Sequence, residues 1–178
     1  MLVAVDLGFR PMTTDDFGTM HRWLQDPETA HWFREDDLSY DGVVEHYLPS
    51  LDGRDPTKLW IVTVDGGDVG WLQSFVLADE PEYGPWCVAA GADPDGGGID
   101  YLLGDPSVRD RGVGSSMLRR FVEDVAFGEW AWPQVVSSPE PANIRSWRAL
   151  EKAGFTFLGE IEGEDGPERL MQRTRMPG

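Results

Sequence analysis

Arg109-Asp110-Arg111-Gly112-Val113-Gly114 is the stretch on which the reading of this chain turns. Immediately upstream, Gly98-Ile99-Asp100-Tyr101-Leu102-Leu103 reads as a strand, and downstream the apolar residues recur at helical spacing. A strand, a glycine-containing basic turn and a helix in that order build a cradle of backbone N–H groups for an anion. The glycines allow close backbone approach, and the helix N-terminus carries a partial positive charge. A nucleotide-hydrolysing loop would place Lys-Ser or Lys-Thr after the last glycine, whereas Gly114 is followed by Ser115-Ser116. A dinucleotide fingerprint needs a third glycine and an acid ending the next strand, and Gln134-Val135-Val136-Ser137 ends without one. On spacing alone, a phosphate site and a purely conformational helix-preceding turn both remain open.

Outward from the turn, charge is distributed unevenly. The 178 residues carry 32 acids against 15 Lys and Arg, a net charge of −17. That balance excludes nucleic acid and anionic membrane surfaces as partners; it suits a cationic ligand or plain solvated acidic faces. Yet Arg109, Arg111, Arg119 and Arg120 form a basic island, while acids gather at 79–82, 93–100 and 160–168. An anion-binding end and a cation-binding end suggest an enzyme with two substrates. The length and 40% hydrophobic content, with eight Trp and eight Phe, predict one folded domain over 1–178. The N-terminal apolar run breaks at Asp6 without a basic region, so no secretory leader is expected, and a cytoplasmic enzyme is the default. Cys87 is the single cysteine and allows no internal disulfide. His21, His31 and His46 lack metal-ligand spacing, and no metal is expected.

The pattern predicts a strand over 3–10 and a helix capped by Thr13 or Thr14 and ended by Asp26-Pro27. A second helix carries Val43, Val44, Tyr47 and Leu48 and stops at Pro49. A hairpin follows over 59–64 and 69–77, then a long loop over 79–98 and a strand at 99–103. The central helix from Gly112 to about Phe127 presents Val113, Met117, Leu118, Phe121, Val122 and Val125 on one face. A strand at 134–137 precedes a helix with Asn143 as N-cap and Gly154 at its C-terminal end. A hairpin of 155–161 and 168–175, turning at Glu164-Asp165-Gly166, closes the chain. The order predicts an α+β fold, a mixed and mostly antiparallel sheet flanked by helices.

At this point the residues resemble the GNAT family of acyl-CoA-dependent N-acetyltransferases. Arg109-x-x-Gly112-x-Gly114 is similar to that family's pyrophosphate loop, and Pro141–Phe155, ending Glu151-Lys-Ala-Gly154-Phe155, to its Asn-containing helix. Tyr47-Leu-Pro-Ser50, Gln73-Ser74, Asp93-Pro94, Gly98-Ile99-Asp100, Leu102-Leu103 and Asp165-Gly166-Pro167 further resemble the aminoglycoside 6′-N-acetyltransferases, in the same order. The resemblance implies a GNAT fold and acetyl transfer from acetyl-CoA, as co-substrate, to a primary amine of a polycationic aminosugar. It implies Asp100 as the base that removes the ammonium proton and binds the cation, the alternative being a structural strand acid. It further implies the backbone N–H of Leu102 or Leu103 as the group polarising the thioester carbonyl. Backbone amides of Arg109, Arg111, Gly112, Val113, Gly114 and Ser115, with the charges of Arg109 and Arg111, are expected on the pyrophosphate. Asn143 is expected on the pantetheine arm or, alternatively, as a plain helix cap. Trp32, Phe33, Tyr47, Gln73, Trp86 and Ser138 are the acceptor-side candidates, core packing being the competing role of each aromatic.

The chain departs from the family pattern in two ways that bear on chemistry. Leu150 stands where many members place a tyrosine that protonates the departing thiolate, and Ser138 where the aminoglycoside enzymes carry an aspartate. A protein N-terminus, a polyamine or a siderophore amine is therefore an alternative acceptor, and a non-catalytic acyl-CoA-binding module an alternative role.

Overall fold

The computed structural model describes residues 6–33, 37–163 and 166–176. Its elements are β1 (Leu7–Pro11), α1 (Phe17–Leu24), α2 (Pro27–Trp32), α3 (Tyr40–Leu51), β2 (Lys58–Val64), β3 (Gly67–Val76) and α4 (Tyr83–Ala89). They continue with β4 (Gly97–Leu103), α5 (Val113–Arg120), a π-helical stretch (Phe121–Glu129), β5 (Gln134–Ser137), α6 (Ile144–Lys152), β6 (Thr156–Gly163) and β7 (Gly166–Thr174). The strand order is β1-β2-β3-β4-β5-β7-β6. Pairing is antiparallel at β1/β2, β5/β7 and β6/β7, and parallel at β4/β5. The expected mixed, mostly antiparallel α+β architecture is thus borne out.

Residues 1–73 with 101–109 form one compact unit and residues 74–100 with 110–178 a second. In the first, α1 and α3 lay Phe17, Met20, Trp23, Val43 and Tyr47 over Leu59, Ile61, Trp71 and Leu102. Asp16 caps this arrangement. Its buried carboxylate accepts both terminal nitrogens of Arg10, at 2.9 and 2.7 Å, and the Thr13 N–H at 2.8 Å. In the second unit, Phe75, Leu77, Cys87, Ala92, Val136, Ile161 and Leu170 make the core.

Several boundaries differ from the sequence expectation, each for a local reason. Asp26-Pro27 ends α1 but also starts α2, because Asp26 accepts the N–H groups of Glu28 and Thr29 and Pro27 sits at the first helical position. Helix α3 runs through Pro49 to Leu51; a proline's fixed φ is helical, and near a helix C-terminus it forfeits one hydrogen bond only. The stretch 79–98 is not one loop. It holds α4, whose Pro85 falls in the first turn, where no N–H is needed, and whose Gly84 has no room for a Cβ, 2.1 Å from the Leu77 carbonyl oxygen.

The central helix changes register at Phe121. Beyond that residue the spacing is i to i+5, as in Trp130 N–H to Val125 O at 2.9 Å, so Ala126 is fully buried and Val125 only half-buried. Strand β5 and helix α6 fall where the sequence put them. The Glu164-Asp165 part of the final turn and the start of the first strand lie outside the described residues.

Candidate active site

The anion cradle belongs to the second unit. Asp110 and Gly112 both take positive φ, +58° and +79°, and Gly112 is the N-cap of α5. A Cβ on Gly112 would meet nothing within 4 Å, so the glycine is required by conformation and not by space. No side chain caps α5. Its first helical bond runs from Ser116 N–H to Gly112 O at 3.1 Å, and Ser115 Oγ folds back onto the same carbonyl. The amides of Val113, Gly114 and Ser115 therefore form the positive end of the helix without a side-chain acceptor. That is the donor set a pyrophosphate needs, and Arg111 is exposed beside it. Asp110 pairs with Arg145 of α6 at 3.2 Å.

Asn143 begins α6. Its Oδ1 accepts Ser146 N–H at 3.2 Å, so the amide oxygen serves as the helix cap. The same helix is fastened to the last hairpin by Arg169, whose guanidinium carbon lies 4.7 Å from the Trp147 ring centre and 4.4 Å from that of Phe157. The buried Arg169 Nε has no hydrogen-bond partner among the described residues; aromatic faces occupy its surroundings.

Asp100 is half-buried on β4. The strand reaches it through Gly97 and Gly98, which pair with Val135 and Val136 on β5 and admit no side chain. A Cβ would lie 2.1 Å from Trp132 at Gly97 and 2.3 Å from Phe75 at Gly98. Near Asp100 the second unit joins Ser138 to two groups that the sequence reading did not place there, Tyr83 and Glu168. Tyr83 donates its hydroxyl to Ser138 Oγ at 2.8 Å, and Ser138 donates in turn to Glu168 Oε2. Burial, helped by the negative charges of Glu168 and Asp100, pushes the Cys87 thiol up to about 11. Burial foremost, and Asp100 among the charges, drives the Tyr83 phenol well above its ordinary range. Ser138 thus lacks a carboxylate of its own but carries that of Glu168. Glu168 stands 30 positions away, in the acidic run that composition did flag, and Tyr83 lay hidden inside a presumed loop.

In the first unit, Leu102 is buried and Leu103 half-buried at the end of β4. Arg109 departs from expectation. Its side chain is only 11% exposed and points into its own unit, onto Asp26, Glu28, Thr29 and the carbonyls of Leu103 and Gly104. Its backbone N–H is donated to Pro106 O at 3.2 Å. Its charge is taken up by the carboxylates of Asp26 and Glu28 and its amide by Pro106 O, so this geometry does not present Arg109 to a pyrophosphate. Asp26 is held below the usual carboxylate range chiefly by Thr29 N–H, with the charge of Arg109 adding to it. Tyr47 is 4% exposed and edge-on to Trp71 at 5.3 Å, within the core of this unit, and also lines a cavity with Leu24, Val43 and His46. Trp32, Phe33 and Gln73 are half-buried in this unit, Phe33 packing on its core; Trp86 is half-buried on α4 of the other.

Among the described residues no group of three His, Cys, Asp or Glu side chains is placed to hold a metal ion, and no helix is long and apolar enough to cross a membrane.

Residues 12–163 match the family described as acetyltransferase (GNAT) domain. The chain belongs to the GNAT acetyltransferases. Among curated relatives of this GNAT chain is aminoglycoside N(6′)-acetyltransferase type 1 of Klebsiella pneumoniae, 31% identical over 93% of this chain and 82% of the relative. Among solved structures, AAC(6′)-Ib in complex with paromomycin and acetyl-CoA superposes with a TM-score of 0.84 at 30% identity, covering 95% of this chain and 93% of that one. An aminoglycoside N(6′)-acetyltransferase from Legionella pneumophila shares the fold at 19% identity, with a TM-score of 0.76 over 97% of this chain and 94% of that one. The family and fold inferred from Arg109–Gly114 and Asn143–Phe155 are borne out.

Proposed function

We propose that this GNAT acetyltransferase, as one domain in the cytoplasm, transfers an acetyl group from acetyl-CoA to a primary amine of an aminoglycoside or similar polycation. The observation that carries the donor half is the uncapped N-terminus of α5, opened by left-handed Gly112. The likeness to the Klebsiella enzyme over most of both chains supports the acceptor half.

In this reading the amides of Gly112, Val113, Gly114 and Ser115, with Arg111, hold the pyrophosphate, and Asn143 steers the pantetheine arm. When bound, acetyl-CoA supplies the activated acetyl thioester. The backbone N–H of Leu102 or Leu103 faces the thioester oxygen, where negative charge develops. Asp100 binds the acceptor ammonium and takes its proton, directly or through water, since only the free amine is nucleophilic. Trp32, Phe33, Gln73, Trp86 and Ser138 border the acceptor, and Ser138 brings the charge of Glu168 with it.

The test is incubation with acetyl-CoA and a panel of aminoglycosides, polyamines and peptides, following thiol release and product mass. Turnover on aminoglycosides is expected. Turnover on peptides alone would overturn the acceptor assignment, and CoA binding without turnover on any amine would overturn the enzymatic one.

A further inference from the structure

We infer that Arg109 is a positioning residue for the acetyl-transfer site: it fixes the end of β4 through the Leu103 and Gly104 carbonyls. The inference rests on the proposed transferase reading for its kinetic consequence. Five N–H donors of one guanidinium meet five acceptors. Nε donates to Leu103 O at 3.1 Å, Nη1 to Asp26 Oδ1 at 3.2 Å and Glu28 Oε2 at 3.1 Å, and Nη2 to Thr29 Oγ1 at 3.1 Å and Gly104 O at 3.5 Å. The fork therefore joins two consecutive carbonyls of the strand end to the N-terminal turn of α2. Only arginine presents planar donors in several directions at once; a lysine ammonium is a point charge that supplies three.

The grip falls where the strand has least freedom elsewhere. Gly104 N–H and Asp105 N–H both donate to Val69 O, at 2.9 and 3.0 Å. Gly104 lies so close to Trp23 that a Cβ would sit 2.1 Å from the indole. The two peptide units on either side of Gly104 are thus set by Arg109 on the carbonyl side. The Leu103 N–H, proposed to face the thioester oxygen, lies one peptide unit upstream and is anchored through the carbonyl end of its own residue. Helix α2 is part of the same clamp and ends in Trp32, beside Phe33, both assigned to the acceptor. One side chain accordingly links the carbonyl-polarising strand to the acceptor aromatics within a single unit.

The experiment separates this role from a phosphate contact by changing the donor. S-Acetylpantetheine carries the same thioester as acetyl-CoA without pyrophosphate or nucleotide. Arg109→Lys and Arg109→Met are compared with the unaltered enzyme on both donors, with Glu28→Gln as a milder variant because that side chain is 51% exposed. Expected is a kcat loss of at least tenfold in Arg109→Met, equal on the two donors, with KM for acetyl-CoA within twofold. Arg109→Lys should recover thermal stability but less than a third of kcat, and Glu28→Gln should lose two- to threefold on both donors. Amide hydrogen exchange supplies a readout that needs no activity: protection of Gly104 and Asp105 should fall at least tenfold in Arg109→Met. A loss confined to acetyl-CoA, full kcat in Arg109→Lys, or unchanged exchange at Gly104 and Asp105 would overturn the inference. An unaltered enzyme without turnover on any amine fails the transferase reading instead, and exchange then decides the clamp by itself.

Discussion

Replacing Gly112 with alanine puts a number on the cradle. The residue sits at φ +79°, ψ 1° with open space where a Cβ would go, so the added methyl costs backbone strain and nothing else. An L-residue in the left-handed region loses about 1–2 kcal/mol, offset by about 0.4–1 kcal/mol from the stiffer unfolded chain. A net loss of about 1 kcal/mol corresponds to a Tm lower by about 2–4 °C in a chain of this size. The molecule can accept that strain and keep the cradle, or relax the turn and rotate the amides of Val113, Gly114 and Ser115 away from the pyrophosphate. In the second case stability returns and acetyl-CoA affinity falls by about the same free energy, roughly fivefold. Gly53→Ala is the matched control, with φ +83°, nothing within 4 Å and a turn that no site uses. Differential scanning fluorimetry and titration calorimetry with acetyl-CoA should find a lower Tm in both variants, or a lower Tm in Gly53→Ala and weakened binding in Gly112→Ala. Unaltered stability together with unaltered acetyl-CoA affinity in Gly112→Ala would refute the assignment of this turn as the cradle.

Three further outcomes are expected. Asp100→Asn should lower kcat by about 10²–10⁴ while the acetyl-CoA Kd, measured by calorimetry, stays within about twofold; lost CoA binding would show Asp100 to be structural. Asp16→Asn should cost about 2–3 kcal/mol in chemical denaturation, since it removes the charge and replaces one of the two buried oxygens that accept from Arg10 with an NH2 donor. The native pKa of Asp16 is depressed, first by Arg10, so its stabilisation is present above about pH 4 and lost as pH falls. Cys87 remains a thiol up to about 11, while an unfolded cysteine ionises near 8.5. Its contribution is whole below about pH 8.5 and lost as pH climbs toward 11. Thiol titration at pH 8 should detect it only after denaturation, and Cys87→Ala should blunt the alkaline fall in Tm.

The features legible in the sequence were those written in neighbouring residues. Helix α6 could be placed because Asn143 and Gly154 mark its ends, and the cradle because a left-handed turn requires the Gly112 beside it. What stayed hidden depends on partners far along the chain. Arg109 sits inside a phosphate-loop motif, but its acceptors Asp26 and Glu28 lie 83 and 81 positions away. The Tyr83–Ser138 contact spans 55 positions, and its first member occupies a helix masked by Pro81, Gly84 and Pro85. Tyr47 shows the limit of periodicity: helical spacing puts it on the apolar face of α3, and only the fold shows that this face meets Trp71. Ser138 shows the same limit for charge, since a serine in sequence becomes the bearer of a distant carboxylate once β7 is in place.

The Arg169 sandwich has a bearing on how this molecule opens. Trp147 belongs to α6, Phe157 to β6 and Arg169 to β7, and the Arg169 N–H closes onto Pro139 O at 2.8 Å. None of these elements can leave without stripping the guanidinium of the rings that enclose it. The helix headed by Asn143 and the terminal hairpin therefore form one cooperative block, whose amides exchange together and whose proposed seat for the pantetheine arm lasts as long as the hairpin does.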